Sequence, residues 1–385
     1  MVMTPPMLRQ LNTRTIIAAL RRLGAATRAD LAKAAEMSSV TAGKIVDRLL
    51  EDRILEEIEP ANDGAIARLG RPGRLVRLNS VQRCFLAVQL GAVNTRICTA
   101  AAGFNSEDVW QSQIPTPDSA KGWVEALSHE AMFYPVEDLT MAIVSAPGIV
   151  DEQRGRVLLS SNLHWSEGAD PRELIRQVWD IPTILVQEIR ALAVGHQILN
   201  PDVEDFLLVD FGEGMGSAPV LNGQLYNGPL PLSGEIGHTP VSGNTRACGC
   251  GGVGCIETLM SRKGLLTTFR QVRQTSRATW AAFRDHLHEH GLEPWLAAQL
   301  DSAAAIVAGA LNLLGLRRAV ITGSLVELGP QVERHICDAI SKSAMWARFG
   351  SIDCRLEPRH RTVGMVAVGL QQQMHGSGPM VEEAS

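Results

Sequence analysis

The sequence lacks long apolar runs, since no stretch approaches the roughly 18 to 20 consecutive apolar residues that a membrane-spanning helix needs. The first twenty residues contain two prolines and two arginines, so we expect no secretory signal peptide there. Cysteine is scarce and odd in number, with seven in the chain. Three lie close together and four are scattered, which argues against a disulfide framework and favours the reducing cytoplasm.

Charge is distributed unevenly along the chain. At 385 residues the protein is too long for one ordinary core, so two or three domains are expected. Residues 1–80 contain 13 Lys and Arg against 9 Asp and Glu, whereas residues 81–385 contain 23 against 32. An anionic partner, if there is one, is therefore expected to meet the basic N-terminal part.

Four potential metal ligands follow one another with the spacing His-x9-Cys-x-Cys-x4-Cys, and they are His238, Cys248, Cys250 and Cys255. Three thiolates and an imidazole suit a closed tetrahedral zinc site, and the intervening glycines allow tight turns. We expect one structural Zn²⁺ per chain. Glu235 and Glu257 flank the ligands; they are either solvated beside the zinc or free to bind something else.

Residues 1–80 carry the pattern of three short helices. Apolar residues recur with helical spacing over Leu8–Gly24. A capping box at Thr27 predicts a second helix over Arg28–Glu36. Ser38 is a good N-cap for a third helix over Ser39–Glu51. The short turn between the last two helices is typical of a helix-turn-helix.

Two apolar segments after these helices, Ile54–Ile58 and Leu75–Leu78, are expected to pair as a wing. Residues 1–80 are therefore predicted to form a winged helix-turn-helix whose third helix enters the major groove of double-stranded DNA. The candidate DNA contacts are polar or basic residues of the helices and the wing: Arg28, Ser39, Thr41, Lys44, Arg48, Arg71 and Arg74. The same pattern also suits a three-helix interaction domain with a solvated polar face.

The remainder alternates predicted strands and helices with glycine turns at strand ends, which indicates an α/β architecture. Cys84–Leu90 and Thr95–Ala101 read as a hairpin, and Asp170–Trp179 as a helix. The strand Phe206–Phe211 runs into Gly212–Gly216, a loop that could bind phosphate but is also common as a plain turn. The tail, residues 376–385, is expected to be disordered.

The motifs Gly234–His238 and Cys248–Glu257 resemble the zinc and sugar signature of the ROK family, which contains sugar kinases and sugar-responsive repressors. The predicted winged head resembles the repressor branch, as in xylose-type and N-acetylglucosamine-type repressors. The resemblance implies an actin-like, ribonuclease H-like, two-lobed ATPase fold behind the head at 1–80. The first lobe would span 81–195 and be completed by a helix near 362–374, and the second lobe would span 196–361.

The resemblance also implies a sugar pocket, with hydroxyls bound by Asn162, Glu188, Glu235, His238 and Glu257. Zinc would hold the loop that carries the glutamates. Family kinases use the aspartate of an Asn-Asp pair as the base, and Gln187-Glu188 stands there in this chain. Their first phosphate loop reads Asp-x-Gly-Gly-Thr, whereas Gln89 replaces the acid here. No catalytic residue is therefore expected.

These features together predict a cytoplasmic, sugar-responsive repressor of carbohydrate uptake or catabolism genes. Its partners would be operator DNA, a small sugar and further copies of itself, as a homodimer or homotetramer, with no membrane partner. Two alternatives stay open. The chain could be an ATP-dependent sugar kinase that retains a regulatory DNA-binding head, or zinc could be the signal rather than a structural ion.

Overall fold

The structure is a computed structural model that describes residues 5–59, 74–103, 110–228 and 232–373. Arg71 and the tail at 376–385 lie outside the described residues. The N-terminal part, hereafter the head, consists of helices and short strands: α1 (Pro5–Leu23), β1 (Ala25–Thr27), α2 (Arg28–Ala34), α3 (Ser39–Glu51), β2 (Leu55–Ile58) and β3 (Leu75–Leu78). Strand β3 lies between β1 and β2 and is antiparallel to both.

Local sequence signals account for most of the head. Helix α1 ends before Gly24, whose φ of +72° is a conformation that favours glycine. The capping box at Thr27 is present, and Ser38 caps α3 by accepting a hydrogen bond from the Thr41 amide at 3.1 Å. The predicted helix ends of α2 extended two residues too far, and β1 was missed because it is only three residues long.

The first lobe is built around a sheet in the order β10-β7-β4-β5-β6. Strands β4, β5 and β6 form an antiparallel meander, and β7 and β10 run parallel to β4. Its elements are β4 (Arg83–Leu90), β5 (Asn94–Ala101), β6 (Ser112–Pro115), α4 (Ala120–Glu130), β7 (Met141–Ala146), β8 (Ile149–Asp151), β9 (Arg156–Leu159), α5 (Pro171–Arg176), β10 (Thr183–Gln187) and α6 (Glu188–Leu199).

The second lobe repeats this topology with the order β13-β12-β11-β14-β15. Again the first strands form an antiparallel meander and the last two run parallel to the central strand. The elements are β11 (Phe206–Phe211), β12 (Met215–Leu221), β13 (Gln224–Leu225), α7 (Glu257–Met260), α8 (Arg262–Arg273), α9 (Trp280–His290), α10 (Pro294–Leu314), β14 (Arg318–Gly323), α11 (Pro330–Ser343) and β15 (Asp353–Leu356), after which the chain continues into α12 (Arg361–Gln373).

The last helix, α12, returns to the first lobe and packs on α6 and the strands β4 and β7. The two helices approach very closely at glycines. A Cβ atom at Gly364 would lie 1.7 Å from the carbonyl oxygen of Ala191, and one at Gly195 would lie 2.0 Å from that of His360. The segment between β15 and α12 therefore crosses from the second lobe to the first.

The head packs directly against the first lobe instead of being joined to it only by a linker. One cluster of buried apolar side chains contains Leu31 and Val76 of the head together with Phe85 and Met365 of the first lobe. Asn79 joins the two parts: its amide donates to the Ile54 carbonyl at 2.9 Å, and its side-chain oxygen accepts from two following amides. The head and the first sheet thus share a core.

Two of the four scattered cysteines are paired, although the sequence pattern argued against a disulfide framework. Cys337 on α11 and Cys354 on β15 form a disulfide, with Cα atoms 5.4 Å apart. The helix packs beside the strand, and this long-range neighbourhood cannot be read from a separation of 17 residues.

Helix α10 is 21 residues long and rich in apolar side chains. Of the helices in the described residues, α10 alone is long and apolar enough to cross a membrane. Its side chains Leu300, Val307 and Leu311 are fully buried in the core of the second lobe. Packing within the protein therefore accounts for its apolar composition.

Candidate functional site

A cleft of about 240 Å³ lies between the lobes, and its walls come from both sheets. The residues expected to bind sugar all line it: Asn162, Glu188, Glu235, His238 and Glu257. The glycine loop at 212–216 lines the cleft as well, beside several arginines. Strand ends of the two lobes meet here, which brings together side chains that are distant in the sequence.

The predicted metal ligands converge on one side of this cleft. The ligand atoms of His238, Cys248, Cys250 and Cys255 all lie within 4.8 Å of one another. Burial raises the pKa of Cys248 to about 12, so this thiol needs a cation beside it to ionise. A cluster of buried thiols with an imidazole is the donor set of a tetrahedral soft-metal site. The residues present therefore fit a metal ion.

His238 faces both the thiol cluster and the cleft. Its Nδ1 lies 3.6 Å from the Cys248 sulfur. Its Nε2 lies 3.7 Å from a carboxylate oxygen of Glu235 and 3.4 Å from the Ser161 hydroxyl. If Nδ1 binds a metal, Nε2 carries the proton and can donate a hydrogen bond into the cleft.

The two motif glutamates lie next to this imidazole. Glu257 is 7% exposed, and its Oε2 accepts from the Met215 amide at 2.9 Å. A Cβ atom at Gly214 would lie 2.8 Å from that oxygen and 3.1 Å from the Asn162 side-chain nitrogen. Burial, together with the charge of Glu257, raises the pKa of Glu235 to about 7. The carboxylates of Glu235 and Glu257 are therefore only partly solvated in the cleft.

Gln187 also belongs to this wall, although the sequence analysis assigned it no binding role. Its side-chain nitrogen donates to the Gly148 carbonyl at 2.7 Å and lies 3.4 Å from Glu235 Oε1. Its position directly before Glu188, at the end of β10, is the signal that could have identified it.

Glu188 lines the same cleft but bonds to groups on another side. Its Oε1 accepts from Gln89 Nε2 at 2.7 Å and from Arg361 Nε at 2.6 Å. Gln89 in turn accepts from Arg96 at 3.0 Å through its side-chain oxygen. Glu188 is thus held between Arg361 and Gln89 by hydrogen bonds. No motif in the sequence indicated the role of Arg361.

A second arginine lies against the glycine loops. Arg359 donates to both carboxylate oxygens of Asp210, at 2.6 and 2.7 Å. A Cβ atom at Gly212 would lie 2.6 Å from the Arg359 Nη2, and one at Gly323 would lie 2.8 Å from it. Burial raises the pKa of Asp210, but Arg359, Arg361 and the Thr322 hydroxyl together lower it more, so the pKa lies below its ordinary value. The loop predicted to bind phosphate thus contacts a side chain of the chain itself.

Arg262, on the second lobe, is the remaining arginine that lines the described part of the cleft. Its guanidinium lies 4.5 Å from the ring centroid of Trp280 and 3.4 Å from a carboxylate oxygen of Glu327. Trp280 donates to the other oxygen at 2.7 Å. Each arginine that lines the described part of the cleft therefore has a carboxylate or amide partner from the same chain.

The profile of the ROK family matches residues 85–369, well over half of the sequence. The chain belongs to the ROK family. A Caldicellulosiruptor protein (strain Rt8B.4), provisionally named a xylose repressor, is 23% identical over 296 residues, or 74% of this chain and 72% of its own. An N-acetylmannosamine kinase of Escherichia coli O1:K1 is 29% identical over 187 residues, or 47% of this chain and 62% of the kinase.

A solved ROK structure resembles the entire described chain. The crystal structure of a ROK family transcriptional regulator, a homologue of the E. coli MLC protein, superimposes with a TM-score of 0.74 at 20% identity. The match covers 96% of each chain. The mixed α/β ROK fold expected from the sequence is confirmed, whereas at this identity the likeness speaks for the fold alone.

Ahead of the ROK domain, the predicted DNA contacts fall into two groups. Ser39, Lys44 and Arg48 are exposed on α3, where Arg48 also pairs with Asp52 at 3.7 Å. Others are engaged within the head: Arg28 binds Asp47 at 2.8 Å and also Glu57, Arg74 binds Glu57, and Thr41 shares a hydrogen bond with Ser38. Their role in DNA binding stays a prediction.

Proposed function

We propose that this ROK protein is a cytoplasmic, sugar-responsive transcriptional repressor whose kinase-like body does not catalyse phosphoryl transfer. One observation carries the proposal: the cleft is polar and open beside the metal cluster, while its other side is filled by ion pairs of the chain itself. The first side suits a neutral polyhydroxyl ligand. The second leaves little unpaired positive charge for a triphosphate.

The ligand side would bind sugar hydroxyls through Asn162, Gln187, Glu235 and Glu257. Carboxylates accept hydrogen bonds from adjacent hydroxyls, and such charge-assisted bonds are strong. His238, Cys248, Cys250 and Cys255 would hold one structural Zn²⁺, which fixes the loop that carries both glutamates. His238 would donate its Nε2 proton to the sugar. Zinc is then a support for the pocket rather than the signal.

Catalysis would need a base beside the attacking hydroxyl and a site for metal-bound triphosphate. Glu188, at the position of the family base, already accepts two hydrogen bonds, one of them from Arg361. Gln89 offers a neutral amide where family kinases carry an acid. Arg359 pairs with Asp210 against the glycine loop. These contacts support a body that senses sugar without phosphorylating it.

The head would be a winged helix-turn-helix, with α3 as the recognition helix and β2 and β3 as the wing. Because the head shares a core with the first lobe, closure of the lobes around sugar would rotate the head with the first lobe. In a homodimer or homotetramer, that rotation would change the separation of two DNA-binding heads and weaken their fit to two half-sites. By reciprocity, operator DNA must weaken sugar binding by the same factor.

The test uses the purified, zinc-loaded full chain. A bound duplex is first selected from a random DNA library, and its affinity is then measured with and without glucose, N-acetylglucosamine, xylose, mannose and allose. We expect one sugar class to lower DNA affinity and to raise thermal stability, by about 2.7 kcal/mol at 100 times its Kd. Glu257→Ala should abolish both effects while zinc content is kept. DNA affinity that ignores every saturating sugar refutes the mechanism.

A sugar kinase with a regulatory head is the second candidate. Its support is that Glu188 lines the cleft and that kinases are among the relatives. A coupled ADP-release assay with the same sugars separates the two. Turnover of about one per second, within the ordinary enzyme range, would favour the kinase.

A further inference from the structure

Helix α3 exposes an apolar side chain where a solvated helix would carry a polar one. The helix buries one face, formed by Ala42, Ile45, Val46 and Leu49. On the opposite face, near the helix start, Val40 is 69% exposed. Ser39 and Lys44 beside it are exposed too. Nothing in the described head covers Val40, so its place there is not explained by the packing of the head.

Gly43 lies on the same face, one turn further along. A glycine inside a helix destabilises it relative to alanine. A Cβ atom at Gly43 would meet nothing within 4 Å, in contrast to Gly195 and Gly364, where the helix crossing requires glycine. The fold therefore gives no reason for this glycine, and a close approach from outside the chain would give one.

We propose that Val40 and Gly43 form a surface of α3 that reads thymine in the major groove of DNA. The inference rests on the proposed DNA-binding function and names its specificity-determining residues. Thymine presents a C5-methyl group in the major groove that cytosine lacks, and an aliphatic side chain recognises it by apolar contact. Gly43 lets the base edges come close to the helix backbone.

Charge selects DNA over an apolar protein partner for this face. Lys44 is exposed beside Val40 and Gly43, and Arg48, one turn further along, is exposed as well and pairs with Asp52 at 3.7 Å. Residues 1–80 carry more basic than acidic residues. Cations around a small apolar patch suit base edges flanked by phosphates. Thr41, in contrast, is half-buried with its hydroxyl bonded to Ser38 at 2.9 Å, so Val40 is better placed to reach a base.

Gly43→Ala separates a structural role from DNA reading. Since the added methyl group meets no atom of the head, this variant should raise the melting temperature and yet weaken binding to the selected duplex. Gly309→Ala is the matched control, because Gly309 also lies inside a helix with nothing within 4 Å. It should raise the melting temperature and leave DNA affinity unchanged. Unchanged DNA affinity in Gly43→Ala would overturn the role given to Gly43.

A second experiment removes single methyl groups from the DNA. The full chain selects a duplex from a random library, and each thymine is then replaced by deoxyuridine, which keeps every hydrogen-bonding group. We expect about a fourfold loss of affinity per contacted methyl group at one or two positions. The loss should vanish in Val40→Ala and persist in Val272→Ala, an exposed valine of α8. Equal losses in wild type and Val40→Ala, or none in either, would refute the inference while DNA binding stands. Enrichment of no sequence would instead refute the proposed function, and the inference with it.

Discussion

Replacing Arg359 with alanine is expected to destabilise the second lobe strongly. The guanidinium donates to both oxygens of Asp210, and the two side chains are only 22% and 13% exposed. Without it, the carboxylate keeps the Thr322 hydroxyl, at 2.7 Å, and the positive charge of Arg361 to offset its burial, but no longer the two-pronged ion pair. A buried charge would thus lose its counter-ion.

The size of the effect follows from the burial of the pair. Removing one partner of a buried ion pair costs about 3–5 kcal/mol, and the remaining exposure favours the lower end, about 3 kcal/mol. One kcal/mol shifts the melting temperature of a domain of 150 to 250 residues by about 2–4 °C. Calorimetry at pH 7 should therefore record a decrease of about 6–12 °C for Arg359→Ala.

The pH dependence has a definite sign. In the wild type the folded-state pKa of Asp210 is lowered, so its stabilisation is present above the unfolded value, about 3.9, and is lost as the pH falls through the folded value. In Arg359→Ala burial still raises the pKa of Asp210, while only Arg361 and the Thr322 hydroxyl remain to lower it, so the pKa lies above the wild-type value and the ionised form becomes more costly. The stability difference between the proteins should therefore narrow as the pH falls from 7 towards 4.

The double variant Arg359→Ala/Asp210→Asn is the control, because it removes the stranded charge. It should be more stable than Arg359→Ala alone at pH 7, and its difference from that variant should vanish at low pH. A melting temperature of Arg359→Ala within 2 °C of wild type at pH 7, or a gap that widens on acidification, would refute the reasoning.

Three further predictions test other parts of the fold. Gly364→Ala, whose Cβ would lie 1.7 Å from the Ala191 carbonyl, should lower the melting temperature or prevent folding, whereas Gly309→Ala should raise it. Cys255→Ser should lose tightly bound zinc by mass spectrometry of the purified protein, and an unchanged one-to-one ratio would contradict the ligand set. Asn79→Ala removes the acceptor of the Val81 and Gln82 amides and should cost about 2 kcal/mol in urea unfolding, about 1 kcal/mol per hydrogen bond, with part of it restored in Asn79→Asp, which keeps the acceptor.

Much of the architecture was readable because short-range signals determine it. The capping box at Thr27 and the N-cap Ser38 each depend on a few neighbouring residues. The glycine-spaced cysteines indicated their own convergence for the same reason, and the structure brings their sulfur atoms together with His238. Local chemistry thus predicted the helix starts and the convergence of the cysteines with His238.

The remainder depends on residues that meet only after folding. Arg359 is 149 positions from Asp210, and Arg361 is 173 from Glu188, so no spacing rule links either pair. The disulfide between Cys337 and Cys354 likewise depends on a helix lying beside a strand. The interpretation of the cleft depends on Arg359 and Arg361, and only the long-range topology of the fold brings them into it.

The shared core of head and first lobe has a consequence for protein engineering. Leu31 and Val76 belong to the same apolar cluster as Phe85 and Met365, and the last of these lies near the C-terminus. A chimera that joins this head to another sensor domain would leave an apolar surface uncovered on both parts. DNA specificity should therefore be changed by substituting residues on the exposed face of α3 rather than by exchanging the whole head.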